Sequence, residues 1–162
     1  MTAPTTTGRT VTNETFVVER VYDVPPARVF QAYADPAVKT KWFDGDGGDG
    51  WEQLVSSLDF TVGGHERNDG RELESGQVHA YHAVYWDIVP DSRIVSTYEM
   101  QLDGTRVSVS LATTELIPEG DGTRLIYTEQ AAFLDGPDPD GAHRRGNEWL
   151  LDRLGAFLAG ER

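Results

Sequence analysis

The chain has 162 residues, with 27 Asp and Glu against 14 Lys and Arg, a net charge of −13 and no cysteine. The length suits one domain with a sizeable core, and the absent thiols exclude disulfides, thiolate zinc sites and cysteine nucleophiles. The negative charge makes nucleic acid and anionic membrane poor partners; no apolar run approaches the roughly 20 residues of a spanning helix, and without a basic-then-apolar leader a cytoplasmic location is expected.

Residues 1–13 are Thr-rich and aperiodic and read as a disordered tail ahead of a single domain over residues 14–160. A β-branched and aromatic run at 16–22 predicts a first strand. Pro25-Pro26 ends it, and residues 27–34 (ARVFQAYA) predict a proline-started helix. A second short helix follows from Asp35-Pro36 to about Trp42. Residues 44–50 (DGDGGDG) invite a calcium-loop reading, but the third Asp stands one place late and no Glu occupies position 12, so a mobile loop is expected.

Short strands are predicted over 53–57 and 59–67, with Gly63-Gly64 marking a bulge or close backbone approach. Asn68-Asp69-Gly70 reads as a turn. Residues 78–89 and 93–102 read as long strands about Pro90-Asp91, and Asp103-Gly104 is a hairpin signal. Residues 106–117 and 123–133 form a further hairpin, and 135–141 link it to the end of the chain. There, residues 140–158 place Leu150, Leu151, Leu154, Phe157 and Leu158 on one helical face. Asp138 and Asp140 are N-cap candidates and Gly160 a C-terminal stop. His143 and Asn147 lie on the same face, upstream of the leucines. That end either lines a cavity or overhangs into solvent.

The order is strand, two short helices, six strands, long helix. A meander of that length has one face to bury and only one helix long enough to cover it. The expected architecture is α+β, a curved antiparallel sheet wrapped around the C-terminal helix, with the short helices closing one end.

Several segments carry a resemblance: VFQAYADP at 29–36 with Trp42, FTVGG at 60–64, DIVPDSRIV at 87–95, and GTRL at 122–125 with TEQ at 128–130. In their order and spacing the chain resembles the START-like (SRPBCC) superfamily, in the branch named after the C-terminal domain of the activator of heat-shock-protein-90 ATPase. The resemblance covers residues 14–158 and implies a helix-grip fold. For function it implies a range: members bind lipids, sterols, hormones or polyketides between sheet and helix, and some are cyclases or hydrolases. The chain departs from the family at the last helix, where Gly146-Asn147 replaces a Gly-Trp pair and Trp149 stands two places later.

Apolar content, strand alternation and the resemblance together assign Tyr81, Ala83 and Tyr85, then Ile94, Ser96, Tyr98 and Met100, then Leu125, Tyr127, Glu129, Ala131 and Phe133, to the concave side. Among these Glu129 stands out. A carboxyl group flanked by Tyr127, Ala131 and Phe133 is desolvated unless paired, which suits a general acid or base or a hydrogen bond to a ligand; alternatively it forms a structural ion pair, with Arg20 as partner. Glu66 is a second inward carboxylate. Trp42, Phe60, Tyr81, Tyr85, Tyr98, Met100 and Phe133 form an aromatic lining or plain core, with His143 and Asn147 at the helix. The histidines do not cluster, and no metal-ligand spacing, phosphate loop or nucleophile elbow occurs, so neither metal nor cofactor is expected. Three functions are consistent with these residues: binding of a small hydrophobic or amphipathic ligand; a cyclase- or hydrolase-type enzyme with Glu129 as acid/base and Tyr81 or Tyr98 orienting substrate; and a ligand-free interaction module, a stress or chaperone accessory or a homodimer, with His82, Val84 and Trp86 on the outer face.

Overall fold

In the computed structural model, which describes residues 9–160, seven strands form one antiparallel sheet in the order β1-β7-β6-β5-β4-β3-β2. The strands are β1 (Val11–Tyr22), β2 (Trp51–Leu58), β3 (His65–Glu72), β4 (Val78–Val89), β5 (Arg93–Leu102), β6 (Thr105–Glu119) and β7 (Gly122–Leu134). Helices α1 (Pro26–Ala34) and α2 (Pro36–Phe43) follow β1, and α3 (Ala142–Gly160) follows β7. The sheet is curved, with the helices on its concave side. No helix among the described residues is long and apolar enough to cross a membrane.

Local chemistry accounts for the element boundaries. Both short helices begin with proline, whose fixed φ suits a first turn. The Asp35 carboxylate accepts the Ala37 N–H at 3.0 Å and so caps α2. Asp103 and Gly104 both have positive φ, at 49° and 84°, which the tight β5–β6 hairpin requires.

The structure corrects the expected elements at several points. β1 begins at Val11, and Thr10 is already tied to Asp135 by backbone and side-chain hydrogen bonds. Of the expected tail, residues 1–8 lie outside the described residues. Residues 59–64 form a turn, with β3 starting only at His65. The Gly63 N–H donates to the Tyr85 carbonyl at 2.7 Å, and a Cβ on Gly64 would lie 2.2 Å from the Asp59 carbonyl oxygen, so the close approach inferred from Gly63-Gly64 is met in that turn. Asn68-Asp69-Gly70 does not turn. It runs inside β3 and pairs with both β2 and β4, where two hydrogen-bonded neighbours outweigh its turn propensity. At the last helix Asp138 accepts the His143 N–H at 2.8 Å, whereas Asp140 sits at φ 50° in a short 3₁₀ turn before α3. Gly160 is still helical rather than a stop.

The core lies at the α1, β1 and α3 end of the concavity. Leu151, Leu154 and Leu158 are buried against Val18, Tyr22, Val29 and Leu125, and the Tyr22 hydroxyl donates to the Leu151 carbonyl at 2.7 Å. The backbone of α3 approaches β1 and α2 most closely. Its upstream half reaches the sheet through His143 and Asn147, which bond Ser108 on β6 and Glu129 on β7, and the space between helix and sheet is a cavity.

Candidate functional site

That cavity has a volume of about 420 Å³. Alternation along β4 turns Tyr81 and Tyr85 into it, and along β5 it turns Ile94, Ser96, Tyr98 and Met100 inward. Tyr127 on β7 and Ala112 and Thr114 on β6 form the floor, Trp42 and Phe43 on α2 one wall, and His143, Asn147, Trp149 and Leu150 on α3 the roof. The rings contact one another in a chain, Phe43–Tyr81 at 5.5 Å and Tyr81–Tyr98 at 4.8 Å between centroids.

Glu129 is fully buried beneath this lining. Its carboxylate accepts hydrogen bonds from the Tyr98 and Tyr127 hydroxyls at 2.6 Å each, from Ser110 at 2.9 Å and from the Asn147 side-chain amide at 3.2 Å. These four donors come from β5, β7, β6 and α3 and match the roughly four acceptor sites of a carboxylate. Arg20 is not its partner. β1 does pair with β7, but the register sets Arg20 opposite Leu125 and Phe16 opposite Glu129, and Arg20 instead bonds Asp152 on α3 at 2.7 Å.

Glu66 does not join Glu129. It is buried with Lys39 of α2, whose Nζ lies 2.8 Å from each carboxylate oxygen, and it accepts the Tyr85 hydroxyl at 2.7 Å. The Lys39 ammonium also stands 4.4 Å from the Phe43 ring centre, a cation–π contact. Lys39 reads in sequence as a solvated residue. The available signal was its spacing from Trp42 and Phe43, at i+3 and i+4 on one helix face.

A third polar group closes the far end. The His143 ring lies 2.9 Å from Ser108 Oγ and 3.2 Å from Asp138 Oδ1. The order Asp–His–Ser resembles a nucleophilic triad, but Ser108 has no exposed surface and sits in a strand paired on both sides, so neither a substrate carbonyl nor free backbone donors can reach it. Its work is to fasten the start of α3 to β6.

Of the residues assigned to a site from sequence, Trp42, Tyr81, Tyr85, Tyr98, Met100, His143 and Asn147 line the cavity. Glu66 and Glu129 lie behind the lining and bond to it. Phe133 packs edge-on against His143 at 4.8 Å, and Phe60 against Phe30 and Tyr85 at 5.7 and 5.0 Å, outside the cavity. Sequence reasoning missed Tyr33, Lys39, Phe43, Trp51, His79 and Ser108. The loop at 44–50 is ordered by its own carboxylates, with Asp46 accepting the Gly48 and Asp49 N–H groups at 2.8 and 3.0 Å. Arg153 of α3 latches that loop to the helix: it donates to the Trp42 and Asp44 carbonyls at 2.8 and 2.9 Å, pairs with Asp49 and lies over the Trp149 ring. Burial alone would raise the Asp49 carboxyl, but the Trp51 N–H and Arg153 outweigh it and hold the group below its ordinary value.

All six tyrosines are Tyr22, Tyr33, Tyr81, Tyr85, Tyr98 and Tyr127. Burial raises every one of their phenols, and neighbouring Glu66 or Glu129 adds to this at Tyr81, Tyr85, Tyr98 and Tyr127. The folded chain therefore holds these protons more tightly than the unfolded chain. The stabilisation is complete below about pH 10 and is lost as pH rises through the folded values. Tyrosinate absorbance is expected in one cooperative step coincident with loss of the circular dichroism of the fold; gradual ionisation of a folded protein near pH 10 would contradict this. For the Lys39–Glu66 pair, Lys39→Met is expected to cost about 3–5 kcal/mol in chemical denaturation, because a buried carboxylate loses its cation. Adding Glu66→Gln, which keeps the bond to Tyr85, should recover much of that loss.

Residues 23–159 match the family described as activator of Hsp90 ATPase homolog 1-like protein. Among solved structures, the chain is similar to an uncharacterised protein from Rhizobium leguminosarum, with 44% identity and a TM-score of 0.88 over 94% of this chain and 99% of that one. It is also similar to the Mll3558 protein from Rhizobium loti, with 44% identity and a TM-score of 0.82 over 91% and 99%. For the CV1439 protein from Chromobacterium violaceum the figures are 28% and 0.72, over 89% and 96%. No curated protein matches the chain. The family match spans both short helices, the sheet from β2 to β7 and nearly all of α3, and the chain is thus a member of the activator of Hsp90 ATPase homolog 1-like family with a helix-grip fold.

Proposed function

We propose that this protein binds a small hydrophobic or amphipathic molecule in the cavity between the sheet and the upstream half of α3. The observation that carries the reading is an open space of about 420 Å³ walled mainly by aromatic and aliphatic side chains, with a few fixed polar groups. That combination suits small-molecule sites, where apolar area gives affinity and convergent polar atoms give orientation. It also accounts for α3, whose leucines stop at Leu150 and give way to Asn147 and His143 where the cavity begins.

The other roles draw less support. As a general base, Glu129 would have to surrender one of four hydrogen bonds before taking a proton from substrate. A ligand-free interaction module calls for a filled interior; the outer face does expose Trp86, but its indole N–H is engaged by Thr97 at 2.8 Å.

The uncharged dye Nile red, fluorescent in apolar surroundings, is expected to bind with saturable, one-to-one stoichiometry. Ala112 lies on the cavity floor, and Ala112→Phe should abolish the signal while the fold persists. An unchanged titration in that variant would place the dye elsewhere and defeat the proposal.

A further inference from the structure

The charges around the cavity are unevenly matched. Three buried carboxyl groups lie around the cavity, behind its lining: Glu66, Glu129 and Asp138. Glu66 is paired with the Lys39 ammonium, and Asp138 is hydrogen-bonded to the backbone N–H and the ring of His143. Glu129 has neither a lysine nor an arginine among its partners; three hydroxyls and one amide satisfy it. An additional anion in the cavity would therefore meet a carboxylate without a counter-cation and find the buried amine already taken.

The free hydrogen-bonding capacity has the opposite character. Among the described residues the Tyr81 hydroxyl makes no hydrogen bond, although Tyr81 lines the cavity between Phe43 and Tyr98. Burial raises its phenol first, and Glu66, Tyr85, Tyr98 and Glu129 all raise it further, so both carboxylates act at this point and both disfavour negative charge. A phenol kept protonated is a donor, and its complement is an uncharged acceptor.

Building on the ligand-binding reading above, we propose that the cavity selects uncharged apolar molecules bearing a hydrogen-bond-accepting oxygen, such as a ketone, which Tyr81 engages, and rejects carboxylate-bearing molecules of the same size, fatty acids included. Like charges brought together in a desolvated site oppose binding strongly, whereas a single neutral hydrogen bond mainly orients.

The test uses three probes on one skeleton: naphthalene, 2-acetylnaphthalene and 2-naphthoate, titrated by calorimetry near neutral pH. The ketone is expected to bind at least about tenfold more tightly than the carboxylate. Glu129→Gln should narrow that gap by strengthening naphthoate binding. Tyr81→Phe should weaken the ketone several-fold and leave naphthalene unchanged. Equal or tighter binding of naphthoate by the native chain would overturn the charge selection while leaving the cavity as a binding site. Parallel losses of ketone and naphthalene in Tyr81→Phe would overturn the role given to that hydroxyl. Failure of all three probes to bind would overturn the selection together with the reading it rests on.

Discussion

A buried carboxylate must be satisfied from every direction, and Glu129 is satisfied by groups from three strands and one helix at once. Removing any donor leaves a desolvated acceptor, a cost of about 1–3 kcal/mol or more. The positions of Tyr98, Tyr127, Ser110 and Asn147 are thereby coupled. Since Asn147 sits on α3, the carboxylate also sets how far the upstream half of that helix stands from the sheet. An apolar residue at the same place would leave the upstream half of the helix without that tether.

The two halves of α3 thus have different work. Leu151, Leu154 and Leu158 bury apolar area against α1, β1 and β7 and supply stability. Upstream, His143 and Asn147 reach across the cavity to Ser108 and Glu129. The Arg153 latch lies in the downstream half, between Leu151 and Leu154, and joins the helix to the loop after α2. The Lys39–Glu66–Tyr85 cluster performs the same service for α2, binding it to β3 and β4. Each helix bordering the cavity is held by polar bonds that reach over it rather than by residues that fill it.

Much of this was legible in the sequence. Alternation turned Tyr81, Tyr85, Tyr98 and Glu129 inward, and helical spacing put His143 and Asn147 above them. What alternation cannot supply is register. Neighbouring β1 and β7 made Arg20 a reasonable partner for Glu129, yet the pairing places it four residues away along β7, opposite Leu125. The turn signal at Asn68-Asp69-Gly70 failed similarly, because pairing on both sides of β3 is a tertiary fact. Lys39 was passed over because a lysine on a short helix ordinarily faces solvent, and only Glu66, distant in sequence, makes its burial tolerable.

Hydrogen exchange along α3 tests the central claim, that polar tethers hold its upstream half over an open cavity while leucines hold its downstream half in the core. In Glu129→Leu the account predicts faster exchange confined to the turns around His143 to Trp149, with protection from Leu151 onward unchanged. Equal loss of protection along the whole helix, or none at all, would show that α3 is held as one packed unit and contradict the account.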